Sequence, residues 1–137
     1  MIEQKSFSSI VESYLKANFP DFLKTLKYEE DNSFECSLES PTGKFSIWIA
    51  TYNSEITIGL NDPDNTSGCH THYGRDDDDL TDALTKLSQT INDVFSNRLV
   101  FYHSTLQGFT WSDDIIRTIT EKRKDESIEF FTWDGQV

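Results

Sequence analysis

Phe7, Ile10, Val11, Tyr14 and Leu15 recur at i, i+3, i+4, i+7 and i+8, a spacing that predicts a helix over residues 6–18 with one apolar stripe. Ser6 is its expected cap. The Phe19-Pro20 step ends it, because proline drives the preceding residue out of helical conformation. Phe22, Leu23 and Leu26 predict a second short helical turn before the polar stretch Glu29-Glu30-Asp31-Asn32. The period then falls from 3.6 to 2. Phe34, Cys36 and Leu38 alternate with Glu35, Ser37 and Glu39; Phe45, Ile47 and Ile49 with Ser46, Trp48 and Ala50; Ile56, Ile58 and Leu60 with Glu55, Thr57 and Gly59. Each run predicts a strand with one apolar face, and the opposite face, carrying Glu35, Glu39, Trp48, Glu55 and Thr57, is expected to be at least partly wet. Ser40-Pro41-Thr42-Gly43 and Tyr52-Asn53-Ser54 have turn chemistry and hairpin length, so neighbouring strands pair antiparallel.

After the loop at 61–68, Cys69-His70-Thr71-His72-Tyr73 reads as a fourth strand. Leu80, Ala83, Leu84, Leu87, Ile91, Val94 and Phe95 then recur at helical spacing, with Asp76, Asp77, Asp78 and Asp79 where the positive end of the helix dipole favours acids. Arg98 to His103 is apolar on both parities and reads as a buried strand, with Gln107 to Trp111 as its hairpin partner. Residues 113–124 fit a helical stripe through Ile115, Ile116 and Ile119 as well as a strand, and the helix is preferred. Ser127 to Trp133 closes the chain as a last strand. The sum predicts an α+β fold, an antiparallel sheet of about six or seven strands with two main helices packed on one face.

Composition adds scale and excludes partners. The chain has 137 residues, which predicts a single globular domain over 1–137, large enough to bury a core without a covalent staple. With 12 Lys plus Arg against 24 Asp plus Glu, the formal charge is −12. Such a charge repels phosphate backbones and anionic bilayers, so neither nucleic acid nor a membrane is an expected partner. The N-terminal residues lack a signal-like apolar run and no later segment reaches membrane-spanning length, which makes the expected compartment the cytoplasm. Cys36 and Cys69 stand in no Cys-x-x-Cys arrangement and are expected to be buried thiols.

The charge is not evenly spread. From Glu55 to Asp82 there are eight acids against the single base Arg75, a net of −7 in 28 residues. If the loop carrying Asp62 and Asp64 and the helix start at Asp76 to Asp79 meet at one end of the sheet, they form an acidic rim beside His70, His72 and Tyr73. The competing explanation is a capped helix and a well-solvated loop, although four consecutive aspartates exceed what capping needs. Trp111, followed by Asp113 and Asp114, is the one place where an aromatic anchor abuts an acidic pair in an expected loop.

Catalytic signatures are missing: the chain has no P-loop, no Gly-x-Ser-x-Gly and no Gly-x-Gly-x-x-Gly, so no cofactor and no enzymatic activity are expected. The 62–68 loop imitates a calcium loop but puts its glycine one place late and Tyr73 where a bidentate Glu is needed. His70-x-His72 carries an alternative, since i and i+2 on a strand share a face and, with His103, could ligate a metal in a metal-binding protein or metal-dependent enzyme. The plainer reading places the pair on the solvated face, with Cys69, Thr71 and Tyr73 pointing the other way.

The layout as a whole resembles the immunity proteins of bacterial polymorphic toxin systems, including contact-dependent growth inhibition. The points of likeness are the leading helix, the meander, the His70 to Tyr73 strand, the Asp76 to Asp79 helix start, the Phe101-Tyr102-His103 strand and the Trp111 and Trp133 segments. The resemblance implies a non-catalytic cytoplasmic protein that binds a cognate toxin domain, often a nuclease with a basic active site, and blocks its substrate cleft. The residues expected to carry binding come from the charge map: Asp62, Asp64, His70, His72, Tyr73, Asp76, Asp77, Asp78, Asp79, Trp111, Asp113 and Asp114.

Overall fold

The structure is a computed structural model that describes residues 2–74 and 79–135. Its elements are α1 (Gln4–Asn18), a 3-10 turn (Pro20–Thr25), β1 (Lys27–Tyr28), β2 (Phe34–Glu39), β3 (Ser46–Ala50), β4 (Ile56–Asn61), β5 (Gly68–Tyr73), α2 (Leu80–Phe95), β6 (Val100–Ser104), β7 (Gly108–Ser112), α3 (Ile115–Glu121) and β8 (Ile128–Phe131). The fold is α+β. Its strands form an antiparallel sheet in the order β1-β2-β3-β4-β5 and a second sheet in the order β7-β6-β8. In the second sheet both edges of β6 are taken: Phe101 lies opposite Trp111 of β7 and opposite Phe131 of β8. Residues 113–124 contain the short helix α3, begun by Asp114, whose carboxylate accepts the Arg117 N–H at 3.0 Å.

Contacts divide the chain into two compact units, each discontinuous in sequence: Met1–Leu38, Ile47–Gly59 and His70–Gln89 in the first, Glu39–Ser46, Leu60–Cys69 and Thr90–Val137 in the second. In the first, alternation sorts β2 as expected, whereas Ala50 of β3 and Thr57 of β4, both on the face expected to be at least partly wet, are buried as well. Phe34, Cys36, Ile47, Ile49, Ile56 and Ile58 are buried together with Phe7, Val11 and Leu15 of α1. The helix differs in two details from the periodicity. Ile10 is exposed, which narrows the stripe to i, i+4 and i+8, and Ser6 lies inside the helix instead of capping it. The start is held from outside. The Gln4 amide donates to the Thr51 carbonyl at 2.6 Å and its oxygen accepts the Ser54 N–H at 2.9 Å. Buried Thr51 also meets the Ser8 hydroxyl at 2.9 Å and accepts the Phe34 N–H at 2.9 Å. These bonds pin the β3–β4 turn, where Asn53 and Ser54 both sit in the left-handed region at φ 58° and 53°, a conformation costing about 1–2 kcal/mol per non-glycine residue.

In the second unit the core gathers Phe45, Leu60, Ile91, Val94, Val100 and Phe101. A buried polar hub closes its far turns. Glu126 accepts the Ser104 hydroxyl, the Arg123 N–H at 2.9 Å and the Gln107 amide at 3.2 Å, while Ser104 Oγ accepts the N–H groups of Leu106 and Gln107. The Ser104 hydroxyl, then the Arg123 N–H, hold the Glu126 carboxyl below its ordinary pKa, outweighing burial. A depressed folded-state pKa stabilises above the ordinary carboxylate range, and that stability is lost as pH falls through the folded value. Urea midpoints measured from about pH 6 down to about pH 3 should therefore fall on the acid side. Glu126→Gln, which keeps the shape but not the charge, should lower the neutral midpoint and flatten the acid limb; an unchanged limb would show that Glu126 does not contribute to it.

Candidate functional site on the outward face of the five-stranded sheet

Strand alternation puts Glu35, Trp48, Thr57, His70 and His72 on the face opposite the first unit's core, with Glu55 entering it just before β4. His70 and His72 are exposed on β5, while Thr71 and Tyr73 point to the other side, as the plainer reading of the His-x-His motif requires. The imidazoles stand edge to face with centroids 5.1 Å apart, and the Trp48 ring lies 5.9 Å from His70. Beneath them Thr57 is buried, its hydroxyl 2.9 Å from His72 Nδ1, and Glu55 Oε1 lies 3.2 Å from the same nitrogen. Both oxygens thus meet the same ring nitrogen of His72. Because hydroxyl and carboxylate share one ring nitrogen, the ring does not relay a proton between them, as a triad's opposed nitrogens would. Among the described residues no three His, Cys, Asp or Glu side chains stand so as to hold a metal ion.

On β2, Glu35 is exposed and Lys27 of β1 is its register partner. Tyr52, at the β3–β4 turn, is pushed up to about 12 by burial, by its hydrogen bond with Glu35, and by the field of Glu35, Glu29 and Asp31. Carboxylates therefore border this face at its β2 side and at the start of β4.

The charge-map residues fare differently. Asp62 is buried and works for its own loop: its Oδ1 accepts the Thr66 N–H at 2.9 Å and the Ser67 N–H at 3.3 Å. Burial raises its pKa, but the bonds from Thr66 and Ser67 outweigh that and hold it low. It is a loop cap rather than part of an exposed rim. Asp64 is exposed. Asp79 accepts the Thr81 N–H at 3.0 Å at the start of α2, a capping role. Asp76, Asp77 and Asp78 lie outside the described residues. Asp62 and Asp64 belong to the second unit and His70, His72, Tyr73 and Asp79 to the first.

In the second unit, Trp111 and Asp113 line one open cleft of about 410 Å³, and Asp113 and Asp114 line another of about 460 Å³. Asp113 is paired with Arg117 at 3.2 Å, and Arg98 lines the larger cleft, so the acids there are locally offset. His103 packs against Phe109 with centroids 4.7 Å apart and the rings tilted by 54°, which makes it a packing residue of the β6–β7 pair. Cys36 is buried and Cys69 only partly so; burial pushes both thiols up to about 12.

Comparison with known protein families, curated proteins and solved structures finds no match for this chain. Among the described residues no helix is long and apolar enough to cross a membrane.

Strand parity already assigned Glu35, Trp48, Glu55 and Thr57 to one face. Missing from it was the adjacency of β4 and β5, which brings Glu55 and Thr57 to His72. The hairpin length between the two strands was the available signal.

Proposed function

We propose that this chain is a non-catalytic binding protein of the immunity type, which neutralises a cognate basic toxin domain, most simply a nuclease, through its acidic surface. The observation that carries the reading is the excess of 24 acids over 12 bases, with Glu29, Glu30, Asp31 and Glu35 all exposed within a few residues of one another. A charge of this size raises encounter rates with a cationic partner and sets aside phosphate-bearing ones.

The test uses the product of the gene immediately upstream, where an immunity protein's toxin is expected. The two purified proteins should associate at low salt and the toxin's activity should be blocked. Raising NaCl from about 50 to about 500 mM should slow association about tenfold or more. No complex at low salt, or an association rate indifferent to salt, overturns the proposal. Replacing Asp76, Asp77 and Asp78 with Lys should slow association several-fold, about as much as the added salt does; an unchanged rate would remove that stretch from the steering surface.

A further inference from the structure

We propose that α3 is a self-association surface, on which a second copy of this chain docks with its own α3 running antiparallel. The inference stands apart from the immunity reading. Ile116 and Ile119 are 78 % and 51 % exposed, the two most exposed large apolar side chains among the described residues, and both lie on this one short helix. Three positions apart, they share a face. α3 has no buried residue, although a helix this short is marginal without packing. An open cleft of about 460 Å³, lined in part by Ile115 and Ile116, and another of about 410 Å³, lined in part by Arg117, Thr118 and Glu121, adjoin it and leave room for a partner's side chains.

Charge selects the occupant. Exposed Asp113 and Asp114 precede the helix, and exposed Lys122, Arg123 and Lys124 follow it. A helix's own dipole favours that order, but it does not account for two isoleucines in water between the ends. A twofold axis across α3 sets Ile116 and Ile119 against their counterparts and each acidic end against the partner's basic end, the self-complementary pattern of an isologous contact. A purely cationic partner would match Asp113 and be repelled at 122–124. Asp113 is paired with Arg117 at 3.2 Å, but both side chains are mostly exposed, and such a pair holds weakly enough for Asp113 to turn to the partner. Seven residues of helix span only about 10 Å. The contact is therefore smaller than the roughly 800 Å² per partner of a standard interface, and the dimer is a transient one, populated toward millimolar concentration.

The net charge of −12 on each copy opposes their approach, so the test is made at about 0.15 M NaCl, where that repulsion is screened beyond about 8 Å. Diluting ¹⁵N-labelled protein from about 1 mM to about 20 µM should move amide resonances centred on 113–124, and the weight-average mass by sedimentation should rise above the monomer's at the high end. Ile116→Asp should weaken association at least about tenfold, since each dimer loses the contact twice. Asp113→Lys alone, and Arg123→Glu with Lys124→Glu, should each weaken it several-fold; an equimolar mixture of the two variants should restore it as a heterodimer, which also shows that both fold. Asp114 is left in place because it caps α3. Spectra and mass independent of concentration, shifts centred elsewhere, or a mixture no tighter than either variant alone overturn the proposal. Shifts at 113–124 that follow an added octa-lysine peptide but not the protein's own concentration assign the face to a basic partner and overturn it too.

Discussion

Phe101→Ala should cost about 3–5 kcal/mol of stability, a large share of the roughly 5–15 kcal/mol that holds a typical domain folded. Phe101 is fully buried on β6, the central strand of the three-stranded sheet. Its ring stacks on Phe45 at 5.2 Å and on Phe109 at 5.3 Å, and reaches Phe131 at 6.2 Å. Truncation removes the shared member of three aromatic contacts, and the surrounding rings are too stiff to close the space. Urea unfolding followed by tryptophan fluorescence measures the loss. Ile116→Ala is the contrast: Ile116 is 78 % exposed on α3, and its truncation should stay within about 0.5 kcal/mol. If the two variants lost similar stability, the placement of Phe101 at the centre of this core would be wrong.

That pair also shows what the sequence could and could not reveal. Arg98 to His103 reads as a buried strand because it is apolar on both parities, and Val100, Phe101 and Tyr102 are indeed buried. Ile115, Ile116 and Ile119 make an equally apolar group, yet Ile116 and Ile119 are exposed. Periodicity measures which face of an element is apolar; it does not say whether anything lies against that face. The helix itself is set by a local bond, the Asp114 carboxylate on the Arg117 N–H, which pattern reasoning about isoleucines does not weigh. The aspartates teach the same lesson about charge. Asp62, Asp79 and Asp114 contribute to the total of −12, but each carboxylate accepts backbone N–H groups of its own turn or helix start. A charge map locates potential. The hydrogen bonds decide which carboxylates are presented to a partner.

Pairing is the other part that stayed hidden. The alternation of β2 to β4 is plain, and so are their hairpin turns. That β6 would recruit β8 at its second edge, and so form a separate sheet, depends on a pairing between residues more than twenty positions apart. The two-residue strand β1 has no pattern at all, being too short to show a period; it exists because Lys27 and Tyr28 lie against Glu35 and Phe34.

Gly68→Ala should be costly for a reason that turn chemistry does not suggest. In the sequence Gly68 ends a loop rich in Asp, Asn and Ser and looks like a turn glycine. In the fold it is the first residue of β5, and a Cβ there would stand 1.9 Å from the Leu60 carbonyl oxygen, 2.9 Å from its carbon and 2.6 Å from Asn61 Oδ1. The Asn61 side chain can turn aside, but the Leu60 carbonyl is backbone inside β4 and cannot. Glycine is therefore required by close approach of two strands, not by a positive φ. Relieving the overlap forces the start of β5 off β4 and strains the loop closure at Asp62, whose N–H donates to the Ser67 carbonyl at 2.9 Å. The expected loss is about 3 kcal/mol, the upper end for overpacking, with faster amide exchange from 60 to 68. Gly108→Ala provides the scale. Gly108 has φ +78° and open space for 4 Å around the point where a methyl group would stand, so its substitution should cost only the left-handed penalty of about 1–2 kcal/mol. Should Gly68→Ala prove no more destabilising than Gly108→Ala, β5 does not need to approach Leu60 as closely as the fold requires.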